Sequence, residues 1–305
     1  MYLMERTYLM NILSKLSNKN KGVMFIILSS FCFAAMNVFV RMAGDLPFIQ
    51  KSFFRNFIAF FIALFLLRKN GIKFEMPKGS RLDLVLRATF GTIGIFCNYY
   101  AIDHMLVSDA SMLNKLSPFF VIIFSYFILN ERIKPFQALC VLIAFAGALF
   151  VIKPGFTGMP IFPALIGTMG GMCAGIAYTY VRKLGTQGVK GPFIVFFFSA
   201  FSCIVSLPYL IFEFTPMSMY QIFILLLTGL AASGGQFFIT AAYTYAPAGE
   251  ISIYDYSQII FATFLSFVFL GQIPDMLSVV GYVIICIASI IMFLYNNNKI
   301  MLKEK

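Results

Sequence analysis

The sequence predicts an all-α integral membrane protein with ten transmembrane helices, arranged as two inverted five-helix repeats. Three observations carry this prediction: the composition, the length of the apolar segments, and a second half that repeats the first. Hydrophobic residues make up 60% of the 305 residues and charged residues only 11%. A water-soluble protein cannot hide that much apolar surface, so lipid is the expected main solvent.

Ten apolar segments are long enough to cross a hydrocarbon core of about 30 Å, which takes about 20 helical residues. The first five lie at 22–40, 48–67, 86–102, 110–129 and 135–152, and the second five at 162–181, 192–212, 220–244, 251–270 and 276–295. Little sequence remains outside these spans, which excludes an extramembrane catalytic domain. A largely polar stretch precedes the first span, which is therefore expected to act as an uncleaved anchor.

The two halves match when the sequence is shifted by 141 residues, which places Arg41 on Arg182 and Ser125 on Ser266. Each half holds an odd number of crossings, so the second begins on the opposite side of the bilayer. Secondary transporters commonly use such inverted repeats to build two gates around one midplane site. The predicted domains are an N-terminal tail at 1–21, a first repeat at 22–152, an outer linker at 153–161, a second repeat at 162–295 and a C-terminal tail at 296–305.

The net charge of +11 is interpreted as a topology signal. Most of the 23 Lys and Arg, with Arg87 among them, fall beside one set of loops, which the positive-inside rule assigns to the cytoplasm. Both termini are therefore predicted to be cytoplasmic. Arg55 lies inside the second span and is interpreted as snorkelling to the outer headgroups. Without a folded domain to carry a basic patch, nucleic acid is not an expected partner.

The sixth span carries a glycine stripe, Gly167, Gly171 and Gly175, which leaves one side of the helix as bare backbone. Small residues decide helix contacts in bilayers because they permit close approach. Tight packing is the favoured interpretation, and a smooth surface on which one bundle rocks against another is the alternative.

The fourth and ninth spans carry a duplicated stripe of polar residues. The members related by the repeat are Ser111, Asn114, Ser117 and Ser125 in the fourth span and Ser252, Asp255, Gln258 and Ser266 in the ninth. An unpaired polar group in hydrocarbon costs several kcal/mol, so this stripe is expected to face protein or a water-filled cavity. Pro118 also interrupts the fourth span and frees a backbone carbonyl.

Lys115 and Asp255 are ionisable residues within these two spans, and an intramembrane charge is by default a functional candidate. Asp255 is interpreted as a proton-coupling carboxylate or an anchor for a substrate ammonium group, with a structural hydrogen bond as the plain alternative. Lys115 either holds a substrate carboxylate or snorkels to the outer headgroups. Straight helices with a rise of about 1.5 Å per residue in a core of about 30 Å place the two about 18 Å apart along the membrane normal. One small zwitterion is then not expected to bridge them.

The polar residues inside spans predict a cavity between the first, third, fourth, sixth, eighth and ninth spans. The second, fifth, seventh and tenth spans are almost purely apolar, and Phe196–Phe198 on the seventh is interpreted as facing lipid. The candidate substrate-binding residues are Asn37, Asn98, Tyr99, Asn114, Lys115, Tyr178, Gln236, Tyr243, Asp255 and Gln258, with Asp255 also the coupling candidate. No catalytic, metal-binding or cofactor-binding residue is predicted, since the sequence has a single histidine and no HExxH motif. An enzyme is therefore not expected.

A stretch from 113 to 147 combines a proline in the fourth span, a Phe-rich run, Asn-Glu-Arg at its end, and then Gln and Gly, namely Pro118, Asn130, Glu131, Arg132, Gln137 and Gly147. In the second half Gln272 stands at the position of Glu131, and Ile259 at that of Pro118. The chain resembles the EamA-type members of the ten-helix drug/metabolite transporter superfamily over about residues 22–295. The resemblance implies an inner-membrane carrier of small metabolites that works by alternating access.

The predicted function is a secondary transporter that exports a small polar or amphiphilic metabolite, an amino acid or derivative, across the bacterial cytoplasmic membrane. One acidic and one basic intramembrane residue together with aromatic walls favour that substrate class. An uptake carrier for S-adenosylmethionine or a nucleoside-type metabolite is one alternative, and it would favour aromatic stacking over paired charges. A non-transporting membrane sensor or assembly protein is the other. The expected partners are a small-molecule substrate and membrane lipid, with the chain as a monomer or homodimer and without a cofactor.

Overall fold

A computed structural model of the protein describes residues 17–72, 79–130, 135–152, 161–246 and 251–303, and every regular element in those ranges is a helix. In chain order the helices are α1 (Asn18–Met42), α2 (Phe48–Lys69), α3 (Arg81–His104), α4 (Val107–Asn114), α5 (Ser117–Leu129), α6 (Pro135–Ile152), α7 (Ile161–Thr186), α8 (Gly191–Phe212), α9 (Met219–Tyr245), α10 (Ser257–Leu270) and α11 (Met276–Lys303). A 3-10 segment, Ser252–Tyr256, leads directly into α10.

These helices make ten passes within the described ranges, because α4 and α5 form one pass and the 3-10 segment forms another with α10. Six passes are long and apolar enough to cross a membrane, those of α1, α2, α4–α5, α7, α8 and α9. Shorter apolar helical stretches lie in α6, α10 and α11. The predicted all-α membrane architecture is confirmed.

The helices pack as a two-fold symmetric set of pairs. The four most extensive helix contacts are α1 on α9, α3 on α7, α6 on α11 and α2 on α8. The 141-residue offset relates the first two pairs to each other, and each of the last two joins a helix to its own repeat-equivalent. Every one of these contacts therefore joins one repeat to the other, so the two repeats are interleaved around a common axis.

The α4–α5 pass and its repeat-equivalent are broken at the same point. In the first repeat α4 ends at Asn114 and α5 begins at Ser117. Pro118 lies in the first turn of α5, where its missing N–H is not needed for an intrahelical bond. In the second repeat the 3-10 segment ends at Tyr256 and α10 begins at Ser257. Such discontinuous helices are the usual framework of a midplane transport site.

A side chain from the second repeat supports the start of the α4–α5 pass. The Gln272 Oε1 atom accepts a hydrogen bond from the Val107 backbone N–H at 3.1 Å, on the first turn of α4. N–H groups of a first turn have no partner within their own helix, so this bond satisfies one of them. Glu131 is the repeat-equivalent of Gln272, and it lies outside the described residues, as does Arg132.

The glycine stripe of α7 faces the broken pass of the first repeat. A Cβ atom added at Gly171 would lie 2.6 Å from the Leu113 carbonyl oxygen, and one added at Gly175 would lie 2.9 Å from the Ser117 carbonyl oxygen. Both distances are shorter than real Cβ contacts, and the atoms approached belong to backbone. These glycines therefore let α7 reach the break between α4 and α5, which supports the packing interpretation.

We expect Gly171→Ala to destabilise the protein, because the added methyl group meets a backbone carbonyl that cannot rotate away. Overpacking of this kind costs about 1–3 kcal/mol, and the midpoint of thermal unfolding in detergent should fall accordingly. Gly185→Ala is the matched control, since it lies on the same helix with no atom within 4 Å of an added Cβ. That control should keep or raise the midpoint. Equal midpoints for the two variants would contradict the close packing.

Candidate functional site

An ion pair lies where the two broken passes cross. The Lys115 Nζ and Asp255 Oδ2 atoms are 2.6 Å apart, and the two side chains are only 4% and 1% exposed. The Ser30 hydroxyl on α1 donates to the other carboxylate oxygen, Asp255 Oδ1, at 3.0 Å. A buried ion pair is stable only when its remaining lone pairs and protons also find partners, and Ser30 supplies one of them.

The expected separation of about 18 Å between Lys115 and Asp255, drawn from straight helices with a rise of about 1.5 Å per residue, is wrong. Both passes break at these residues, so each half-helix ends in the interior of the bundle. The α4 helix also begins at Val107, ahead of the span expected from hydropathy, which carries Lys115 deeper. Snorkelling of Lys115 to the headgroups is wrong for the same reason, since its ammonium is buried and paired.

A second bond joins the two breaks at repeat-equivalent positions. The Tyr256 hydroxyl donates to the Lys115 backbone carbonyl oxygen at 2.8 Å. That carbonyl sits at the C-terminal end of α4, where carbonyl groups lack intrahelical partners. Side chains of the second repeat thus satisfy both the ammonium and the backbone of Lys115.

A polar cavity lies beside this crossing. Its volume is about 70 Å³, which has room for a few water molecules. Eight of the ten predicted site residues line it: Asn37, Asn98, Tyr99, Asn114, Lys115, Tyr178, Gln236 and Gln258. The other two lie behind the lining, where Asp255 is paired with Lys115 and the Tyr243 ring packs 5.7 Å from that of Tyr178. A metabolite larger than a few waters requires the surrounding helices to move apart.

Amide side chains form one wall of the cavity. The Asn37 Nδ2 atom donates to the Ser111 hydroxyl at 3.0 Å, and Asn98 Nδ2 lies 3.5 Å from Asn37 Oδ1. Among the described residues, Asn98 Oδ1 and the Tyr99 hydroxyl find no hydrogen-bond partner. Buried polar atoms normally have one, so these two are available to a ligand or to water.

Two buried arginines of the cavity were missed by the sequence analysis. Arg55 on α2 and Arg87 on α3 are 3% and 2% exposed, and both line the cavity. The Arg87 Cζ atom lies 3.8 Å from the centroid of the Phe198 ring, and Arg55 Cζ lies 5.7 Å from it. Cation–π contact with a desolvated guanidinium is worth about 2 kcal/mol.

These positions correct three expectations. Arg55 does not snorkel, Arg87 does not lie with the cytoplasmic loops, and Phe198 does not face lipid, since it is 2% exposed. The helix α3 begins at Arg81, so Arg87 stands in its second turn inside the bundle.

The Asn56 Nδ2 atom of α2 donates to the Ser202 hydroxyl of α8 at 2.8 Å. The helices α2 and α8, which were expected to be purely apolar and away from the cavity, therefore make a polar contact with each other and contribute to its lining. The usable signal was the presence of an arginine inside an apolar span.

The charges near one end of α3 are occupied in other ways. Lys51 Nζ lies 2.6 Å from Asp103 Oδ1, and the Arg41 guanidinium donates to the Ile102 and Asp103 carbonyl oxygens. Among the described residues there is no group of three or more His, Cys, Asp or Glu side chains that could hold a metal ion.

A larger groove of about 900 Å³ lies between α10 and α11, lined by residues such as Ile260, Phe264 and Val283. Its lining includes no charged side chain. Three of its members, Ile260, Phe264 and Phe267, are more than half exposed. Their exposure suits a surface in contact with lipid tails, and most of the groove's lining residues are apolar.

A family model described as the EamA-like transporter family matches the chain twice, at residues 20–153 and 161–294. The family resemblance inferred from the sequence is therefore confirmed. A solved crystal structure shares the fold with a TM-score of 0.67 and 16% sequence identity, over 92% of this chain and 98% of that chain.

Three similar proteins are named transporters. The pseudopaline exporter CntI of Pseudomonas aeruginosa is 31% identical over 272 residues, which is 88% of this chain and 94% of that protein. Solute carrier family 35 member G1 of Homo sapiens is 28% identical over 279 residues, 85% of this chain and 75% of that protein. The riboflavin transporter of Brucella anthropi is 27% identical over 236 residues, 73% of this chain and 81% of that protein.

We expect Lys115→Met to be strongly destabilising, because it leaves the Asp255 carboxylate buried without its partner. Breaking a buried pair costs about 3–5 kcal/mol, and replacing both partners by apolar residues is often neutral. The double variant Lys115→Met/Asp255→Leu should therefore recover most of the loss in thermal midpoint. Lys183→Met is the control: it removes a 2.9 Å pair with Asp83, but Asp83, 7% exposed, keeps a hydrogen bond from Gln187 Nε2 at 2.8 Å. It should cost less than Lys115→Met, about 1–2 kcal/mol. A double variant as unstable as the sum of its single variants would contradict the account.

Proposed function

The chain belongs to the EamA-like transporter family, and on that premise we propose that it is a secondary transporter exporting an amino acid or derivative by alternating access. Family membership supports a multi-pass membrane transporter of small metabolites. The proposal adds the substrate class, the direction of transport and the mechanism. It also places the protein in the bacterial cytoplasmic membrane with both termini cytoplasmic, as a monomer or homodimer.

The observation that carries the proposal is the position of the polar cavity. It lies at the crossing of two repeat-equivalent broken passes, and interleaved helices of both repeats line it. Irregular backbone is tolerated at membrane depth where it is buried in protein or lines a cavity. A site on the axis that relates two inverted repeats can be exposed to either side by movement of one repeat against the other. The polar cavity also favours a carrier over a non-transporting sensor.

The ion pair provides a link between substrate binding and opening. Lys115 lines the cavity, whereas its partner Asp255 does not. A substrate carboxylate that contacts the Lys115 ammonium competes with Asp255 for the same donors, which weakens the contact that joins the two broken passes. An ammonium group on the substrate complements the freed Asp255. The carboxylate and the ammonium group of an α-amino acid thus each have a partner, and their binding weakens the contact between the two broken passes.

Export is supported by the pseudopaline exporter of Pseudomonas aeruginosa, which is similar to this chain over most of its length. Uptake of S-adenosylmethionine is less well supported, because that metabolite carries a net positive charge. Three cationic side chains, Arg55, Arg87 and Lys115, line the cavity against the single carboxylate of Asp255 behind it. Like charges repel strongly in a poorly solvated site, so these side chains disfavour a cationic substrate.

Counterflow of radiolabelled amino acids in proteoliposomes tests the function and the site together. We expect saturable counterflow with the wild type and about 10-fold less with Gln258→Leu, because loss of one buried hydrogen bond to substrate costs about 1–3 kcal/mol. Gln221→Leu is the control, because Gln221 caps α9 and does not line the cavity. It should transport within about twofold of the wild type. Absence of counterflow with every amino acid and derivative tried would refute the proposed function.

We propose further that Asp255 couples transport to protons, since protonation of its carboxylate releases Lys115 in the same way as a substrate carboxylate does. The Asp255→Asn variant should then exchange substrate more slowly, because it loses the partner of the substrate ammonium group, and the exchange that remains should no longer be driven to accumulation by a pH gradient. Accumulation that responds to the gradient as in the wild type would eliminate Asp255 as the coupling residue.

A further inference from the structure

The charge of the cavity is unbalanced. Arg55, Arg87 and Lys115 contribute three positive charges, and Asp255, bonded to Lys115, contributes one negative charge. Arg55 and Arg87 are not among the residues that form ion pairs in the described part of the chain. The Arg87 Nε and Nη1 atoms and the Arg55 Nε atom have no hydrogen-bond partner there either. The Arg55 Nη1 atom donates only to the neutral Asn56 Oδ1 atom, at 2.7 Å.

The carboxylates of the nearest helices are held elsewhere. Asp83 on α3 accepts from Lys183 and Gln187, and Asp103 at the other end of α3 is paired with Lys51. Asp109 on α4 accepts from the Tyr282 hydroxyl at 2.7 Å. None of these three lines the cavity. Within the described residues, both guanidinium groups therefore contact the Phe198 ring, and Arg55 also contacts the neutral Asn56 amide.

Burial of a charge without a partner is strongly unfavourable, and two like charges that share one aromatic ring add mutual repulsion. A guanidinium remains protonated in proteins, so neither arginine relieves the cost by losing its charge. Both lie buried in the helix bundle, where apolar side chains would fill the same space at lower cost. The missing partner is then a ligand that brings negative charge.

Guanidinium groups offer a planar fork of N–H donors that matches the two oxygens of a carboxylate or a phosphate. At the positions equivalent to Arg55 and Arg87, the second repeat has the uncharged residues Phe196 and Thr228. Both unpaired charges therefore come from the first repeat, and both lie against the Phe198 ring. The backbone is symmetric, but the cavity has one cationic side that would orient an anionic group.

We infer that the transported metabolite carries a net negative charge, with one oxyanionic group, carboxylate or phosphate, bound by Arg55 and Arg87 and a second carboxylate at Lys115. This inference rests on the proposed function and narrows its amino acid or derivative to an acidic one. Phe198 holds the two guanidinium groups from behind, and the amides of Asn98 and Gln258 are placed to contact the neutral parts of the ligand.

The stability of ligand-free variants gives the first test. Arg87→Met should raise the thermal midpoint in detergent or leave it unchanged, because it removes an unbalanced buried charge while keeping the unbranched stem. Arg55→Met should behave in the same way and serves as a second variant if the first does not fold. Arg41→Met is the control, since Arg41 donates to two backbone carbonyls outside the cavity, and it should lower the midpoint. Falls with Arg87→Met and Arg55→Met as large as that of Arg41→Met would assign both arginines to structure and overturn the inference.

Ligand pairs that differ in one anionic group give the second test. L-glutamate is compared with L-glutamine, and O-phospho-L-serine with L-serine, by thermal stabilisation and by counterflow in proteoliposomes. We expect at least one acidic member to stabilise and exchange, and its neutral partner to do neither. Arg87→Met should weaken the apparent affinity for that acidic member about 30-fold or more. The charge-retaining Arg87→Lys should keep the preference for acidic ligands but bind them less tightly. The two pairs also separate a carboxylate ligand from a phosphate.

The outcomes separate this inference from the proposed function. Counterflow of neutral amino acids that equals or exceeds that of acidic ones, unchanged in Arg87→Met, would leave the transporter in place and overturn the anionic substrate. If no amino acid exchanges at all, the proposed function fails. Stabilisation of the wild type by L-glutamate, O-phospho-L-serine or succinate that is lost in Arg87→Met would then still support an anion site, and absence of that stabilisation would overturn it.

Discussion

The contact between Lys115 and Asp255 is the constraint on which the rest of the site depends. Two passes break inside the bundle. In a bilayer, such a break leaves backbone groups without hydrogen-bond partners, and here it also places two charged side chains away from bulk water. The 2.6 Å ion pair satisfies the charges, and the Tyr256 hydroxyl satisfies the Lys115 carbonyl. Ser30 supports the carboxylate from α1. The glycines of α7 are needed because only bare backbone approaches that break closely enough.

Symmetry of the backbone and asymmetry of the side chains have different consequences. Interleaved helix pairs related by the 141-residue offset give the bundle a symmetric framework, which is the architecture that the proposed alternating access needs. The side chains at related positions are not equivalent: Asn37 in the first repeat corresponds to Tyr178 in the second, and both line the cavity. A fold does not by itself determine a substrate, so the proposed choice of an anionic metabolite rests on a few side chains such as Arg55 and Arg87.

The sequence predicted the fold and eight of the cavity residues because both follow from composition, repeat spacing and the cost of polar groups in lipid. It did not predict that Lys115 meets Asp255, because hydropathy measures the length of a span and not where a helix breaks. Arg55 and Arg87 were placed outside the site because a long basic side chain near a span end is usually able to reach the headgroups. The inward position of both arginines follows from their burial and from their contacts with Phe198 on α8, which hydropathy does not report.

An exchange of charges at the crossing shows whether Lys115 and Asp255 act as a pair during transport. Transport is measured in proteoliposomes for Lys115→Asp, for Asp255→Lys and for the double variant that carries both changes. Each single variant should be inactive, because two like charges then meet in the interior, and the double variant should regain a substantial part of the activity. A double variant that folds as stably as the wild type but is no more active than either single variant would contradict the view that this contact joins the two halves of the transport site.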